Sequence, residues 1–531
     1  VSRQLLYTPV RRAHAVAPFG PGALVLTRNR VSAVVCGPVT ALRALPQRPD
    51  GSVSVLDEQT ISDRHLEAAC GVRRFVTAWA ASDDPHPDRD WFLPAARFPL
   101  AEHCANPACQ RMVTRIIGDA NEGRCEGCAP PGGRGRWPTF QVPLALACPA
   151  GHLADVPWEQ WLHAQPGLDC ARPDVRYRTG SVADRPSLRC QGCKRSVQFA
   201  PDTDFACPGE RPQLPHAGPE RCEERARPIE RTSTAMYYPT QMSSLTIPVA
   251  GATNPVLLRA LQDNPVLRSL QRLPRTPEVV GEIVAACART GVTTDTADVG
   301  EHLIALDKPP ADYPSRGEEL DALTSAEHIR RATGAPPDLI VEPQEAADYD
   351  GCRLGDVLSA VSLVPRLRET RVLAGFSRVE PERIDPQDGY AQMWGVPRPV
   401  SFAEHARDDW LPGYEVFGEG ILLVLDPELV DRWAAAAQVS ARLVRAAAIS
   451  GKLEEAPRPL PWLMAHTLAH LFMRALAPHA GYPLPSLRER IFAVDGRTAL
   501  LIYTAAGDVH RRPSRAGPAR GASPDPPSSR P

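Results

Sequence analysis

The alternation of apolar and polar positions divides the chain into stretches of different character. Residues 23–26 and 31–35 are short apolar, β-branched runs, and Phe19-Gly20-Pro21-Gly22 ahead of the first is a tight-turn sequence. Residues 1–100 therefore predict a small strand-rich unit. Residues 101–248 hold few long periodic runs and many Gly and Pro, the profile of a loop-rich region. From 249 to 400 the apolar period becomes helical, as in residues 255–261 and 279–288, with Pro309, Pro310, Pro336 and Pro337 as connectors. In residues 401–507 a strand is expected over 421–425. Asp426 as N-cap and Pro427 as first helical residue then open a helix that reaches Ala448. A second helix is expected over 462–477 and a strand over 499–503. Ser486-Leu487-Arg488-Glu489 has the form of a capping box and predicts a short third helix. Beyond Gly507 the pattern stops, because residues 511–531 contain no Leu, Ile, Val, Met or aromatic side chain. The segment 508–531 cannot offset its own ordering entropy and is expected to be disordered. The fold class is α+β and multidomain: a strand-rich N-terminal unit (1–100), a cysteine-rich middle region (101–248), a mostly helical connector (249–400) and a mixed helical C-terminal domain (401–507).

Composition narrows the function classes. The 531 residues carry 60 basic and 62 acidic side chains, so bulk charge cannot hold this chain to nucleic acid and any basic patch is local. Fifty-seven prolines imply many turns and argue against a long coiled coil. Only Lys194, Lys308 and Lys452 are lysines, the other basic residues being arginine. The sequence has no basic leader followed by an apolar run and no apolar stretch long enough to span a bilayer. A soluble, non-secreted, cytoplasmic protein is expected, and the initial Val leaves open a missing or non-standard start. In a reducing compartment, closely spaced cysteines are metal ligands before they are disulfides.

Ten of the 14 cysteines fall within residues 101–248. Cys104-x4-Cys109 followed by Cys125-x2-Cys128 matches a tetrahedral four-cysteine zinc site, with Pro107 and Gly127 favouring the two turns. Four thiolates leave no open position, so this site is structural. Cys190-x2-Cys193 is a second knuckle, with Cys207 and Cys222 its preferred completion and Cys148 and His152 the rival pair. Cys170 is left over, and Cys36, Cys70, Cys287 and Cys352 read as small core hydrophobes. His466 and His470 lie four apart on one helix face. Thr467 stands where a zinc peptidase carries its catalytic Glu, so a core pair bonded to a carboxylate such as Glu489 is the preferred reading. The alternative is a metal-dependent hydrolase or nuclease using the two histidines with a carboxylate such as Glu489.

No Gly-x4-Gly-Lys-Ser/Thr loop, no Gly-x-Ser-x-Gly elbow and no dinucleotide-type glycine fingerprint after a strand occurs. Gly20-Pro21-Gly22 is too short to cradle a phosphate. An arginine-rich stretch, residues 221–231, is a candidate for phosphate contacts. Nothing here encodes a nucleotide motor or a known hydrolase, and no catalytic residue is assigned.

Several blocks, taken in order, resemble the DrmB family of accessory proteins of the DISARM anti-phage system. They are Phe19-Gly20-Pro21-Gly22-Ala23-Leu24-Val25, the zinc pairs, Ala147-Cys148-Pro149-Ala150-Gly151-His152-Leu153-Ala154-Asp155-Val156-Pro157-Trp158, Leu367-Arg368-Glu369, Gly375-Phe376-Ser377-Arg378 and Gly418-Glu419-Gly420-Ile421. His466-Thr467-Leu468-Ala469-His470, residues 486–491 and Leu501-Ile502-Tyr503-Thr504 look like the MrfA-like zinc-binding domain that this family shares with certain helicases. The resemblance covers most of residues 15–507. It implies a non-enzymatic, zinc-containing subunit that works beside the helicase-like DISARM protein DrmA in binding foreign DNA, with no membrane partner. In similar sequences the strand near Tyr503 leads into a glycine-rich, cysteine-bearing end, whereas here Asp508 is followed by an Arg/Pro/Ser-rich tail. A shortened MrfA-like domain without its last zinc ligands is therefore expected.

Overall fold

In a computed structural model the described residues are 5–37, 60–77, 91–115, 123–128, 136–163, 170–178, 186–198, 203–247, 254–307, 316–330, 337–346, 355–381, 410–445 and 459–504, apart from scattered positions inside these spans. Helices and strands are both plentiful and the fold is α+β. The tail 508–531 and Cys352 lie outside the described residues.

A nine-stranded sheet forms the frame, and two long strands at its centre organise it. Leu358–Ser377 pairs antiparallel with Trp410–Leu425 over most of its length. At one end Leu358–Ser377 also receives Pro337–Pro343, and at the other Tyr238–Leu245. The hairpin of Leu487–Val494 and Arg497–Thr504 extends the sheet beyond Trp410–Leu425. The strand Leu358–Ser377 lies within the segment 249–400 expected to be mostly helical. That expectation fits only the helices Pro255–Asp263, Pro265–Gln271, Pro277–Arg289, Thr296–Asp307 and Arg316–Thr324. Three of these begin alike: the side chains of Asn254, Asn264 and Thr276 accept backbone N–H groups of the first turn, and Pro255, Pro265 and Pro277 follow them. Their apolar faces meet around Leu257, Leu261, Leu267, Ile283, Cys287, Val299 and Leu303.

The third helix expected at 486–489 is instead the start of the strand Leu487–Val494. Asp495 and Gly496, with φ of 52° and 71°, supply the left-handed pair that a two-residue hairpin turn requires. Glu489 is therefore a strand residue rather than the third residue of a capping box. The helix Leu460–Ala480 covers the hairpin, burying Ala465, Ala469 and Met473 against Ile491, Leu500 and Ile502. The helix opened by Asp426 ends at Ala434, with Ala435 as its C-cap, rather than running unbroken to Ala448.

The N-terminal strands Leu24–Leu26 and Ser32–Val35 form where the apolar runs place them. Val34, Cys36, Ala96 and Phe98 share one core with Ala145, Ala147, Leu153 and Met236, so the N-terminal strands and the cysteine-rich region pack together at this core. Three small sheets carry the cysteines: Ala101–Cys104 with Met112–Thr114 and Thr139–Gln141; Leu144–Ala147 with Leu153–Ala154, Arg225–Glu230 and Phe205–Ala206; and Val175–Arg178 with Ser187–Cys190 and Ser196–Gln198. Trp158, Trp161, Leu162, Tyr177 and Leu188 pack between them. Among the described residues no helix is long and apolar enough to cross a membrane.

Candidate metal centres

The first cluster is Cys104, Cys109, Cys125 and Cys128. Cys104 ends the strand Ala101–Cys104, and Cys109 follows on a turn that brings it back toward the same point. The Sγ atoms of Cys104 and Cys128 are 3.5 Å apart, and those of Cys109 and Cys125 3.9 Å. Zinc–sulfur bonds of about 2.3 Å in a tetrahedron place sulfurs ~3.8 Å apart, so the four fit one ion. Asn106 N–H donates to Cys104 Sγ and Gly127 N–H to Cys125 Sγ, each at 3.4 Å. Arg176 Nη1 donates to Cys109 Sγ at 3.2 Å. Burial and crowding by the other three sulfurs push the Cys104 thiol far up, the expected result where four thiolates meet without a cation to balance them.

The remaining ligands divide differently from the expected pairing. Cys190 and Cys193 do not meet Cys207 and Cys222, and Cys148 and His152 do not meet Cys190 and Cys193. Cys148, His152, Cys207 and Cys222 form one cluster, while Cys190 and Cys193 join His163 and Cys170 in another. The physical reason lies in strand pairing. Leu144–Ala147 runs antiparallel to Arg225–Glu230, and Phe205–Ala206 pairs with the other edge of the same strand. This carries Cys148, Cys207 and Cys222 to one end of one small sheet. Cys190 ends a strand of a different sheet.

In the second cluster Cys148 Sγ lies 3.3 Å from His152 Nδ1. His152 Nε2 contacts Glu220 Oε1 at 2.6 Å, and Arg211 Nη1 holds Glu220 Oε2 at 2.8 Å. A carboxylate on Nε2 sets the tautomer that leaves Nδ1 free for a metal, the outer-shell arrangement common at metal-bound histidines. Gly209 is required here: with φ of 68°, a Cβ at this position would sit 1.7 Å from Glu220 O. Its N–H donates to Cys207 Sγ at 3.4 Å.

In the third cluster Cys170 and Cys190 sulfurs are 3.7 Å apart, and Cys193 Sγ is 3.5 Å from His163 Nε2. His163 closes the short helix Trp158–His163, and its Nδ1 donates to Glu159 O at 2.9 Å, which leaves Nε2 as the ligand atom. Burial raises the Cys190 thiol, but N–H groups of Cys193 and Asp174 and the His163 ring outweigh it and bring it down to about 6. That favours the thiolate a metal needs. His163 and Cys170 were not assigned as ligands from sequence, although His163-x6-Cys170 ahead of Cys190-x2-Cys193 was a readable signal. Cys36, Cys70 and Cys287 are buried in apolar cores, as expected.

Outside these clusters, His466 Nδ1 lies 2.7 Å from Glu489 Oε1 and His470 Nε2 3.7 Å from the same oxygen. The carboxylate expected beside the histidines is Glu489, but His470 is 53% exposed, so the two rings are not a core pair. Of the arginine-rich stretch, Arg221 faces Glu223 and Arg225 faces Asp204. A more open basic surface is the outer face of the sheet built on Val175–Arg178. Tyr177 and Leu188 are buried on its inner face, while Arg178 and Arg189 are exposed, with Arg189 directly across from Arg176.

Residues 11–238, which contain all three clusters, match a family model described as a domain of unknown function, DUF8724. The chain is also 23% identical over 459 residues to "DISARM protein DrmB" of Bacillus paralicheniformis, a match covering 78% of this chain and 75% of that protein. A match of that reach extends well past the domain-model residues, and it bears out the resemblance to the DrmB family carried by the ordered motif blocks.

Proposed function

We propose that this chain is a zinc-containing, non-enzymatic subunit of an anti-phage defence complex that partners a helicase-like protein in binding foreign DNA. The observation that carries this reading is the similarity to DISARM protein DrmB over most of both chains. The donor sets support zinc: one cluster of four sulfurs and two of three sulfurs and one imidazole are soft, tetrahedral sets. Each supplies four protein ligands and leaves no position for substrate. The ions fix loops rather than perform chemistry. The sequence has no Walker-type loop, so nucleotide hydrolysis in such a complex falls to the partner. The exposed Arg178 and Arg189 favour a polyanion on that face.

The test is co-expression with the helicase-like DISARM protein DrmA, followed by co-purification with and without DNA and by metal analysis. A stable complex that shifts DNA is expected, with three zinc ions per chain retained against a mild chelator, one per cluster. Failure to associate, or protein free of zinc, would overturn the corresponding half of the reading.

A further inference from the structure

We propose that His466, His470 and Glu489 form a separate, open site for a divalent transition metal of the zinc type. The two histidines lie on one face of the helix Leu460–Ala480, and Glu489 reaches them from the strand Leu487–Val494 packed beneath it. The three donor atoms lie within 4.8 Å of one another. Metal–ligand bonds of about 2.0–2.1 Å put tetrahedral donors ~3.4 Å apart, and the observed 2.7 and 3.7 Å separations bracket that value.

A plain ion pair accounts poorly for the contact. His466 Nδ1 approaches Glu489 Oε1 closely but without hydrogen-bond geometry, and both His466 Nδ1 and Glu489 Oε2 are buried without a hydrogen-bond partner. Buried polar atoms left without a partner forfeit the hydrogen bonds that water gives them in the unfolded chain. A cation between the rings and the carboxylate gives His466 Nδ1 a partner and neutralises the carboxylate at Oε1, the oxygen that both rings face. Trp462 stacks on His466 with ring centroids 4.8 Å apart, holding the imidazole in place.

The site differs in kind from the three cysteine clusters. It has no thiolate and only three protein donors, and His470 is half exposed, so at least one position is left to water or to an incoming anionic oxygen. It is not arranged for hydrolysis. Thr467 turns its hydroxyl back to Leu463 O at 2.7 Å, and no second carboxylate joins the cluster among the described residues. A metal here clips the long helix to the hairpin and exchanges with solvent.

The full chain, treated with a mild chelator that leaves the thiolate clusters loaded, is titrated with Co²⁺ and read by visible absorption. Wild type is expected to take one further equivalent, giving weak d–d bands without thiolate charge transfer and a raised melting temperature. His470→Ala and Glu489→Gln should each weaken that binding at least tenfold and abolish the metal-dependent rise in melting temperature. His470→Ala changes a half-exposed side chain, and Glu489→Gln keeps the shape of a half-buried one, so a folding defect in either does not blur the other. No equivalent beyond the cysteine clusters in wild type, or undiminished binding in both variants, overturns the proposal. Because the readout needs neither partner nor DNA, its failure is distinguishable from failure of the functional reading.

Discussion

Arg378 Nε donates to the carbonyl of Gly151, 2.9 Å away, inside the turn that joins Cys148 to His152. The same guanidinium donates to Gly22 O at 2.7 Å and to Met236 O, and it stacks on Phe376. One fully buried side chain just beyond the central strand thus ties together the N-terminal turn, the second metal cluster and the main sheet. Burial pushes its pKa down to about 10, which still leaves it charged at neutral pH. Arg378→Met would strand three buried carbonyls at ~1–3 kcal/mol each. We expect a loss of at least about 3 kcal/mol in denaturant unfolding and faster release of one metal to a chelator. An unchanged unfolding midpoint would contradict this role.

The ligand partition makes a counting prediction. Cys170→Ser combined with Cys190→Ser removes two ligands of one cluster, and should cost one metal ion per chain. Cys190→Ser with Cys207→Ser strikes two clusters and should cost two. Metal analysis of the two double variants separates this arrangement from a Cys190, Cys193, Cys207, Cys222 site, for which the second pair would cost only one.

Glu319 is fully buried beneath Arg490 and Arg316, with Arg490 Nε donating at 2.8 Å. Burial alone would raise its carboxyl, but the two guanidinium groups outweigh burial and hold it below the ordinary carboxylate range. A carboxyl depressed in the folded state contributes stability above its unfolded pKa of about 4.3, and that contribution is lost as pH falls through the folded value. Arg490→Met removes the main partner and leaves a poorly compensated charge, a loss of about 3–5 kcal/mol. Acid unfolding followed by circular dichroism should begin at higher pH in the variant. Coincident acid transitions would show that the pair contributes nothing.

The parts legible in the sequence are the local ones. Cys104, Cys109, Cys125 and Cys128 are readable because two short spacings already fold each pair onto a turn. Capping by Asp426 and the strand near Tyr503 are readable for the same reason. The partition of Cys148, Cys190, Cys207 and Cys222 is set by which strands pair, and residue spacing does not carry that information. The Leu358–Ser377 strand is obscured by Arg368, Glu369 and Arg371, charges that resemble a solvated surface but are buried in ion pairs. Ser486 to Glu489 fits a helix start locally, and Asp495-Gly496, the hairpin turn that overrides it, lies further along the chain.

The outer face of the Val175–Arg178 sheet carries the last prediction. Arg176 and Arg189 stand directly opposite each other, a like-charged pairing that destabilises a sheet unless something offsets it. Arg176 is partly offset by Asp174 at 2.6 Å, whereas Arg189 and neighbouring Arg178 are exposed. If the face binds DNA as proposed, each phosphate contact releases counterions and adds about 0.9 to the slope of log affinity against log salt. Arg178→Ala and Arg189→Ala should each weaken DNA binding by the complex uniformly across sequences and lower that slope by roughly one. Both positions are exposed, so unfolding free energies should stay within about 0.5 kcal/mol of wild type. Arg221→Ala and Arg225→Ala, at side chains already facing Glu223 and Asp204, should change the slope less. An equal effect of all four substitutions would move the contact away from this sheet, and no effect of the first two would exclude it.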